Sequence, residues 1–425
     1  MNNKTGRFSI LMVIFLVILA VLVYLLLVKQ PPRQISLIEA RYLKTFPSLN
    51  YQSFRTSIKR LLKGNINEAS SVFLGQFIDR SFQKKVENAT TDQFPFRLPL
   101  IQFSKAIDRK LIELAYSPFS DLAIPAAMNS GILIMRDGSR LIDGPGVFDE
   151  NTKKNIDLRI ENFQTLVDQY PDKTFYIFYH ERVSLSKYHP SNHFYFNSDR
   201  GQIFEYFQKK KPIKVMLGAL LFSNFEDLSE NYYKTDHHWN IHGIQKAYNG
   251  IYKMLSENFP SISPALDLNN LYRIPDIEFS GSYSRLTMYP IPGEKFEIAK
   301  INLPHYKIVS DTEERENNQG GGYSPSNYSK EKYTNYYGIF FGEDKDLSEF
   351  LLENGSTRNL LIIGSSFSRP LVPLLAYHYH QTYYIDLRDY ENFSFSEFIS
   401  SHPVDDVIFV TDGWMLTSDI WKINP

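Results

Sequence analysis

Apolar side chains recur along this chain at two spacings, and the spacing alternates through most of its length. The segments TKKNIDLRIENFQTLVDQYP and IQKAYNGIYKMLSENFP repeat them every three or four residues, which predicts amphipathic helices. The segments KTFYIFYHERV, TYYIDLRDY and DDVIFVTDG are short apolar runs rich in branched and aromatic residues, which predicts buried strands. Strands that alternate with helices indicate an α/β fold, with a mostly parallel sheet flanked by helices.

Turn signals organise the same region. GILIMRDGSRLIDG, residues 131–144, places Asp-Gly between two apolar runs and predicts a hairpin. RNLLIIGSSFSRPLVPLLAYHY, residues 358–379, predicts a strand, a tight turn and a helix. Residues 315–338 are rich in Gly, Ser, Asn and Tyr without periodicity, which predicts a long loop whose tyrosines would suit stacking against sugar rings. We assign these elements to one domain, residues 122–425.

The amino terminus has a different pattern. Residues 8–28, FSILMVIFLVILAVLVYLLLV, are apolar without interruption, and as a helix they would be about 30 Å long, enough to cross a bilayer. No small-residue cleavage site follows, so we predict an uncleaved transmembrane anchor with the bulk of the chain outside the cytosol. Residues 29–121 then predict a linker and a helical lead-in, for example LPLIQFSKAIDRKLIELAY.

Composition narrows the class of protein. The 425 residues are 43% hydrophobic, which is enough for a large core. The formal net charge of -1 gives no electrostatic reason to expect a nucleic acid as partner. The chain has no cysteine, which excludes thiolate metal sites and cysteine nucleophiles.

Candidate chemistry is concentrated in TDHHWNIHG, residues 235–243. Asn240 is expected to cap the following helix, so that His238 lies close to the helix N-terminus, where a neutral ring is favoured. A neutral histidine can act as a general base. Asp236, two residues earlier, would lie on the same side of an extended segment and could orient the ring of His238.

Two other interpretations of this motif stay open. His238 and His242 are four residues apart, as in helical zinc sites, although Trp239 stands where such sites carry a glutamate. Capping by Asn240 and packing of Trp239 would also explain the residues without any chemistry. A metal site predicts stoichiometric metal that depends on both histidines.

A serine completes a possible catalytic set. Ser366 is predicted on the turn after an apolar strand and before a helix whose first turn contains Pro370. Side chains there face the carboxyl end of the sheet, where open α/β sheets form their sites, and the Ser366 N–H could stabilise an oxyanion. Together Ser366, His238 and Asp236 supply a nucleophile, a base and an orienting carboxylate for acyl transfer.

TDHHWNIHG and IIGSSFSRPLVPLLAYHY resemble the aspartate-histidine and serine motifs of the DHHW proteins and of AlgX- and AlgJ-type alginate O-acetylation proteins. The order, with Asp and His before Ser, also agrees. DQFPFR, RDGSRLIDG and YYIDLRDY resemble further landmarks, so the resemblance spans about residues 85–410. It implies an SGNH hydrolase-like domain in which Ser366 is the nucleophile, His238 the base and Asp236 its partner, although Ser365 stands where SGNH enzymes usually have aspartate.

The resemblance implies a membrane-anchored, extracytoplasmic serine O-acetyltransferase or acetylesterase that acts on a cell-envelope polysaccharide. It further implies an acyl donor protein of the MBOAT type, and no cofactor or metal is required. Candidates for supporting roles are Arg388, Ser365 and Trp239, while His180 and Glu181 end a predicted strand and could face the same cleft. The alternative is a noncatalytic envelope assembly or carbohydrate-binding protein that retains the fold.

Overall fold

The computed structural model of this chain describes residues 16–17, 35–36, 38, 41–45, 79–94, 96–118, 123–269, 271–273, 278–299, 306–310, 313–317, 330–342, 347–388, 390 and 393–418. None of the helices in these ranges is both long enough and apolar enough to cross a membrane. The predicted anchor at residues 8–28 lies outside the described residues, apart from Leu16 and Val17. The chain divides into two compact units, Met1–Asp108 and Arg109–Pro425.

The first unit contains short elements. Strands β1 (Ile35–Ser36) and β2 (Arg41–Tyr42) pair antiparallel, and helix α1 spans Ser81–Asp92. The Asp92 carboxylate at the end of α1 accepts a hydrogen bond from the backbone N–H of Lys44 at 2.8 Å. Helix α2, Arg97–Tyr116, begins in this unit and includes the predicted lead-in helix.

The second unit contains the remaining strands: β3 (Ile124–Pro125), β4 (Ile132–Ile134), β5 (Leu141–Asp143), β6 (Thr174–His180), β7 (Met216–Leu220), β8 (Leu271–Arg273), β9 (Glu297–Ala299), β10 (Tyr306–Ser310), β11 (Glu313–Asn317), β12 (Leu347–Leu352), β13 (Asn359–Gly364), β14 (Gln381–Ile385) and β15 (Asp406–Thr411). Its further helices are α3 (Glu150–Gln169), α4 (Gln202–Lys210), α5 (Phe225–Glu230), α6 (Ile241–Asn258), α7 (Ser282–Thr287), α8 (Tyr336–Phe341), α9 (Val372–Ala376), α10 (Phe395–Ser401) and α11 (Gly413–Thr417). Single 3₁₀ turns span Val183–Leu185, Asn192–Phe194 and Arg369–Leu371.

The central sheet is mixed. Its order is β11-β10-β12-β14-β13-β15-β6-β7. The five strands from β14 to β7 run parallel, as predicted, whereas β12, β10 and β11 pair antiparallel. The predicted hairpin is also present, because β4 pairs antiparallel with β5 and β3 extends it to three strands.

Helices cover both faces of the sheet, which is the predicted α/β arrangement. Alternate residues of each buried strand point to opposite faces. On one face Phe178, Ile362 and Ile408 pack with apolar residues of α6 and α9. On the other face, the alternate residues of the same strands pack with apolar residues of α3, α4, α10 and α11. Strands covered on both faces read as continuous apolar runs, which explains why their sequences were informative.

Candidate active site

A constrained turn presents Ser366 at the carboxyl end of β13. Gly364 ends the strand, and a Cβ there would lie 2.4 Å from Ser368 Oγ, so only glycine fits. The carbonyl of Ser365 accepts hydrogen bonds from Ser368 Oγ at 2.6 Å and from the Tyr384 hydroxyl at 3.1 Å. These contacts fix the backbone on both sides of Ser366, whose own side chain is half-buried.

The helix after this turn begins later than predicted. A 3₁₀ turn that contains Pro370 comes first, and α9 starts only at Val372. Ser366 therefore precedes the α-helix by six residues and does not occupy its N-terminus. Its backbone N–H donates none of the hydrogen bonds found among the described residues.

The predicted histidine and aspartate meet this serine. His238 Nε2 lies 2.8 Å from Ser366 Oγ, and His238 Nδ1 lies 2.6 Å from Asp236 Oδ1. Asp236 Oδ1 also accepts the backbone N–H of His238 at 3.0 Å. Asn240 caps α6 by accepting from the N–H groups of His242 and Gly243, as predicted. The loop that carries Asp236 and His238 therefore leads directly into α6, whose N-cap fixes the end of the loop.

Asp236 is fixed from a second segment that the sequence did not indicate. Its Oδ2 accepts the backbone N–H of Ser282, at the start of α7, at 2.6 Å. A Cβ on Gly281 would lie 2.4 Å from Asp236 Cβ, so the two backbones approach as closely as glycine allows. One residue earlier, Thr235 donates both its N–H and its hydroxyl to the buried carboxylate of Glu294. The orienting carboxylate therefore has little freedom to move.

Aromatic rings enclose the imidazole of His238. Tyr337, in α8, stacks on it with ring centroids 3.8 Å apart and an interplanar angle of 12°. The Tyr337 hydroxyl donates to the carbonyl oxygen of Ser366 at 3.1 Å. Phe367 packs on the ring at 4.9 Å. Tyr337 thus contacts two members of the candidate triad. The sequence predicted it in a loop whose tyrosines would stack on sugar rings, but it lies in α8 and stacks on His238, while residues 318–329 of that loop lie outside the described residues.

Electrostatics favour a neutral base beside a charged carboxylate. Burial lowers the pKa of His238; Asp236 opposes this effect, whereas Arg369 and Arg182 reinforce it. The neutral ring was predicted from the helix dipole, but desolvation is the main cause. Burial alone would raise the pKa of Asp236, yet His238 and His237 outweigh it and hold that pKa well below its usual range.

A cleft of about 870 Å³ opens beside Ser366. It lies at the carboxyl ends of three neighbouring strands, β13, β15 and β6, which Ser366, Asp412 and Arg182 follow. Arg182 bridges Asp143 at 3.3 Å and Asp412 at 3.5 Å. Trp414, 42% exposed, contributes an aromatic ring to the lining. The cleft is therefore polar and charged beneath, with an aromatic side chain at its margin.

The three supporting candidates take different positions. Arg388 lines the cleft, and its guanidinium donates to both carboxylate oxygens of buried Asp386, at 2.9 and 2.5 Å. Ser365 also lines the cleft. Trp239 is fully buried and packs edge-on against Phe367, with ring centroids 5.4 Å apart. Trp239 therefore supports the site from within the core, whereas Arg388 is held in the cleft as a paired cation.

The sequence left two positions open for His180 and Glu181, the cleft or an exposed strand end, and the structure shows neither: both are buried and they do not line the cleft. His180 is completely buried between the rings of Trp239 and Phe367, 4.9 and 4.4 Å away between centroids. Both its ring nitrogens lack hydrogen-bond partners among the described residues. Glu181 is buried and accepts the backbone N–H of Phe222 at 3.0 Å. The strand end turns inward because the motif tryptophan and the residue after Ser366 cover it.

The structure offers a metal ion a different set of ligands from the pair that the sequence suggested. His242 is exposed on α6, while His238 is buried in the preceding loop, so the predicted pair does not share a helix face. Asp236, His237 and His238 do present ligand atoms within 4.8 Å of one another. However, both ring nitrogens of His238 already contact Asp236 and Ser366. Binding a metal there would require breaking one of these contacts, so the donor set fits a proton relay better than a metal centre.

Comparison with known proteins gives structural neighbours only. No protein-family model and no curated protein sequence matches this chain. Bacillus cereus PatB1 superposes with a TM-score of 0.56 at 19% identity, covering 68% of this chain and 99% of PatB1. Its structure with a sulfonyl adduct gives 0.55 at 19% identity, covering 69% and 97%. A DHHW family protein from Eubacterium siraeum gives 0.52 at 16% identity, covering 69% and 94%. The chain therefore has the fold of PatB1 and of this DHHW family protein, and the sequence motifs had predicted the second of these resemblances.

Proposed function

We propose that this protein is an extracytoplasmic serine O-acetyltransferase or acetylesterase, anchored in the membrane by residues 8–28, that acts on a cell-envelope polysaccharide. One observation carries the catalytic part of the proposal. Ser366 Oγ, the two nitrogens of His238 and Asp236 Oδ1 form an unbroken relay of 2.8 and 2.6 Å contacts. Such a relay activates a serine for nucleophilic attack on an acyl group.

The proposed reaction has two halves. His238 Nε2 takes the proton of Ser366 Oγ as that oxygen attacks the acetyl carbonyl of the donor. His238 then returns the proton to the leaving group, which leaves acetyl-Ser366. In the second half an acceptor hydroxyl, or water, gives its proton to His238 and attacks the acyl carbon, and Ser366 Oγ departs with that proton. Asp236 stays charged throughout and stabilises the imidazolium.

The negative charge that develops on the carbonyl oxygen needs a donor. The N–H of Ser366 suits this role because it has no protein partner among the described residues and belongs to a turn that other contacts hold rigid. A donor that is already oriented stabilises a developing oxyanion without reorganisation at the moment of reaction. We assign the oxyanion to this N–H.

The cleft and the sequence motifs favour a polysaccharide substrate and a membrane partner. A cleft of about 870 Å³ could hold a sugar residue of a longer chain, and exposed Trp414 offers a face for a sugar ring. The resemblance of the DHHW motif to alginate O-acetylation proteins favours a polysaccharide and a membrane acyl donor protein of the MBOAT type. The fold shared with PatB1 is compatible with this assignment.

The test measures turnover and labelling together. Wild type, Ser366→Ala and a control, Ser400→Ala at an exposed serine of α10, would be compared for acetate release from 4-nitrophenyl acetate and for labelling by phenylmethylsulfonyl fluoride. We expect Ser366→Ala to lose several powers of ten in kcat/KM and to lose the sulfonyl label, while Ser400→Ala retains both. A folded wild type that neither turns over nor labels would refute the proposal and favour a noncatalytic carbohydrate-binding protein.

A further inference from the structure

A second imidazole shares the carboxylate of Asp236, and the relay proposed above leaves it without a role. His237 Nδ1 lies 2.9 Å from Ser282 Oγ and 3.4 Å from Asp236 Oδ1. The side chain of His237 is 30% exposed and lines the cleft that also contains Ser366. Its other nitrogen, Nε2, takes part in none of the hydrogen bonds found in the described part of the chain. One nitrogen is therefore fixed, and the other is available to a molecule in the cleft.

The contacts of His237 Nδ1 determine whether Nε2 donates or accepts a hydrogen bond. A carboxylate beside Nδ1 favours the tautomer with its proton on Nδ1, because a bare nitrogen would point its lone pair at the negative oxygen. Nε2 then carries a lone pair and accepts hydrogen bonds. A hydroxyl group suits such an atom, whereas a carbonyl oxygen or an oxyanion is repelled by it. Burial, and next His238, also lower the pKa of His237, so that the ring stays neutral.

The two imidazoles lie side by side. Their ring centroids are 3.8 Å apart, with an interplanar angle of 36°, and the Nδ1 atoms of both approach Asp236 Oδ1. Hydroxyl groups on neighbouring carbons of a sugar ring can contact two adjacent side chains at once. A sugar with one hydroxyl at His238 Nε2 therefore lies beside the imidazole of His237.

We propose, building on the function proposed above, that His237 binds the acyl acceptor and that the acceptor is a vicinal diol. One hydroxyl gives its proton to His238 Nε2 and its oxygen attacks the carbonyl carbon of acetyl-Ser366; Ser366 Oγ then leaves and takes the proton from His238. The adjacent hydroxyl donates a hydrogen bond to His237 Nε2, and His237 gains and loses no proton. Water offers no second hydroxyl, so His237 favours transfer over hydrolysis.

The test divides one acyl-enzyme between two fates. The full-length protein would be acetylated by 4-nitrophenyl acetate in the presence of trans-cyclohexane-1,2-diol or of cyclohexanol, and the ratio of acetyl ester to free acetate measured by mass spectrometry. This ratio does not depend on how fast the acyl-enzyme forms. In wild type we expect the ratio with the diol to be about fivefold higher than the ratio with cyclohexanol, after correction for the two hydroxyls of the diol. This factor corresponds to the free energy of one neutral hydrogen bond.

Variants locate the preference. His237→Phe keeps a ring against His238 but removes the acceptor, and we expect the diol preference to fall to the statistical value. His237→Gln supplies an amide oxygen and is expected to restore part of the preference, while His242→Phe, at an exposed histidine of the same motif, keeps all of it. A preference that persists in both His237 variants overturns the inference.

If a variant fails to fold, the diol preference of the wild-type protein alone still tests the inference. An acyl-enzyme without preference for the diol overturns the role of His237 and leaves the serine mechanism intact. If no acyl-enzyme forms in wild type, the proposed function falls, and the inference falls with it.

Discussion

Burial of His180 makes the stability of the fold depend on pH. This side chain is fully buried beneath the site, and desolvation lowers its pKa to about 4, with Asp412 opposing the shift and Arg182 reinforcing it. In the unfolded chain the same ring has an ordinary pKa of about 6.5. Between these two pH values the unfolded chain binds a proton that the folded protein excludes. Acidification through this window therefore favours unfolding.

The magnitude follows from the difference of about 2.5 pH units. At about 1.4 kcal/mol per unit, His180 alone removes about 3 kcal/mol from the free energy of unfolding as the pH falls from 6.5 to 4. Its contribution is constant above and below this window. His180→Phe removes the titrating group and keeps a flat ring between Trp239 and Phe367, so this part of the acid sensitivity should disappear.

The assay is denaturant unfolding of wild type and His180→Phe at pH 7.5 and 4.5, followed by intrinsic fluorescence. The quantity of interest is the change in unfolding free energy between the two pH values, because effects of all other groups cancel between the proteins. We expect wild type to lose about 2–3 kcal/mol more than the variant on acidification. His242→Phe controls for the loss of one histidine. An equal loss in wild type and His180→Phe would refute the reasoning.

Three further predictions concern the relay. Since only neutral His238 accepts a proton and burial lowers its pKa, kcat/KM should fall with acidification only below about pH 6.5; an acid limb above that value would contradict the assignment. Gly281→Ala places a methyl group 2.4 Å from Asp236 Cβ, so turnover of 4-nitrophenyl acetate should drop about 100-fold and denaturant unfolding should show a loss of about 1–3 kcal/mol; unchanged kinetics would show that the carboxylate is not constrained there. Tyr337→Phe loses one hydrogen bond to Ser366 and should cost less than about tenfold in kcat/KM, whereas Tyr337→Ala also removes the stacked ring and should cost more; equal losses would exclude a role for stacking.

Elements with a local pattern could be predicted from the sequence. Helix α3 follows from apolar spacing, and its N-cap Asp149 accepts the N–H of Thr152. The parallel strands follow from their burial on both faces. Strand β11 could not be predicted in this way, because its sequence EEREN has no apolar alternation and its place at the edge of the sheet depends on pairing with β10.

The residues of the candidate site also differ in whether a local sequence pattern indicated them. Asp236 and His238 are two residues apart, and Ser366 follows a strand, so local rules suggested all three. Contacts between backbone groups and side chains from remote loops have no such signature: the N–H of Ser282 is supplied by the main chain, and Tyr337 comes from a segment without periodicity. Its position at a strand end suggested that His180 could face the cleft or solvent, whereas packing against Trp239 and Phe367 buries it in the core.

The position of the cleft at the ends of β13, β15 and β6 has an evolutionary consequence. The residues that hold the sheet together lie within these strands, whereas Ser366, Asp412 and Arg182 lie just after them. Substitutions in the loops beyond the strands can therefore change which molecule the cleft accepts while the apolar layers stay intact. Selection for a new acceptor and selection for a stable fold would act on different positions, so descendants of this chain could diverge in substrate while their cores change slowly.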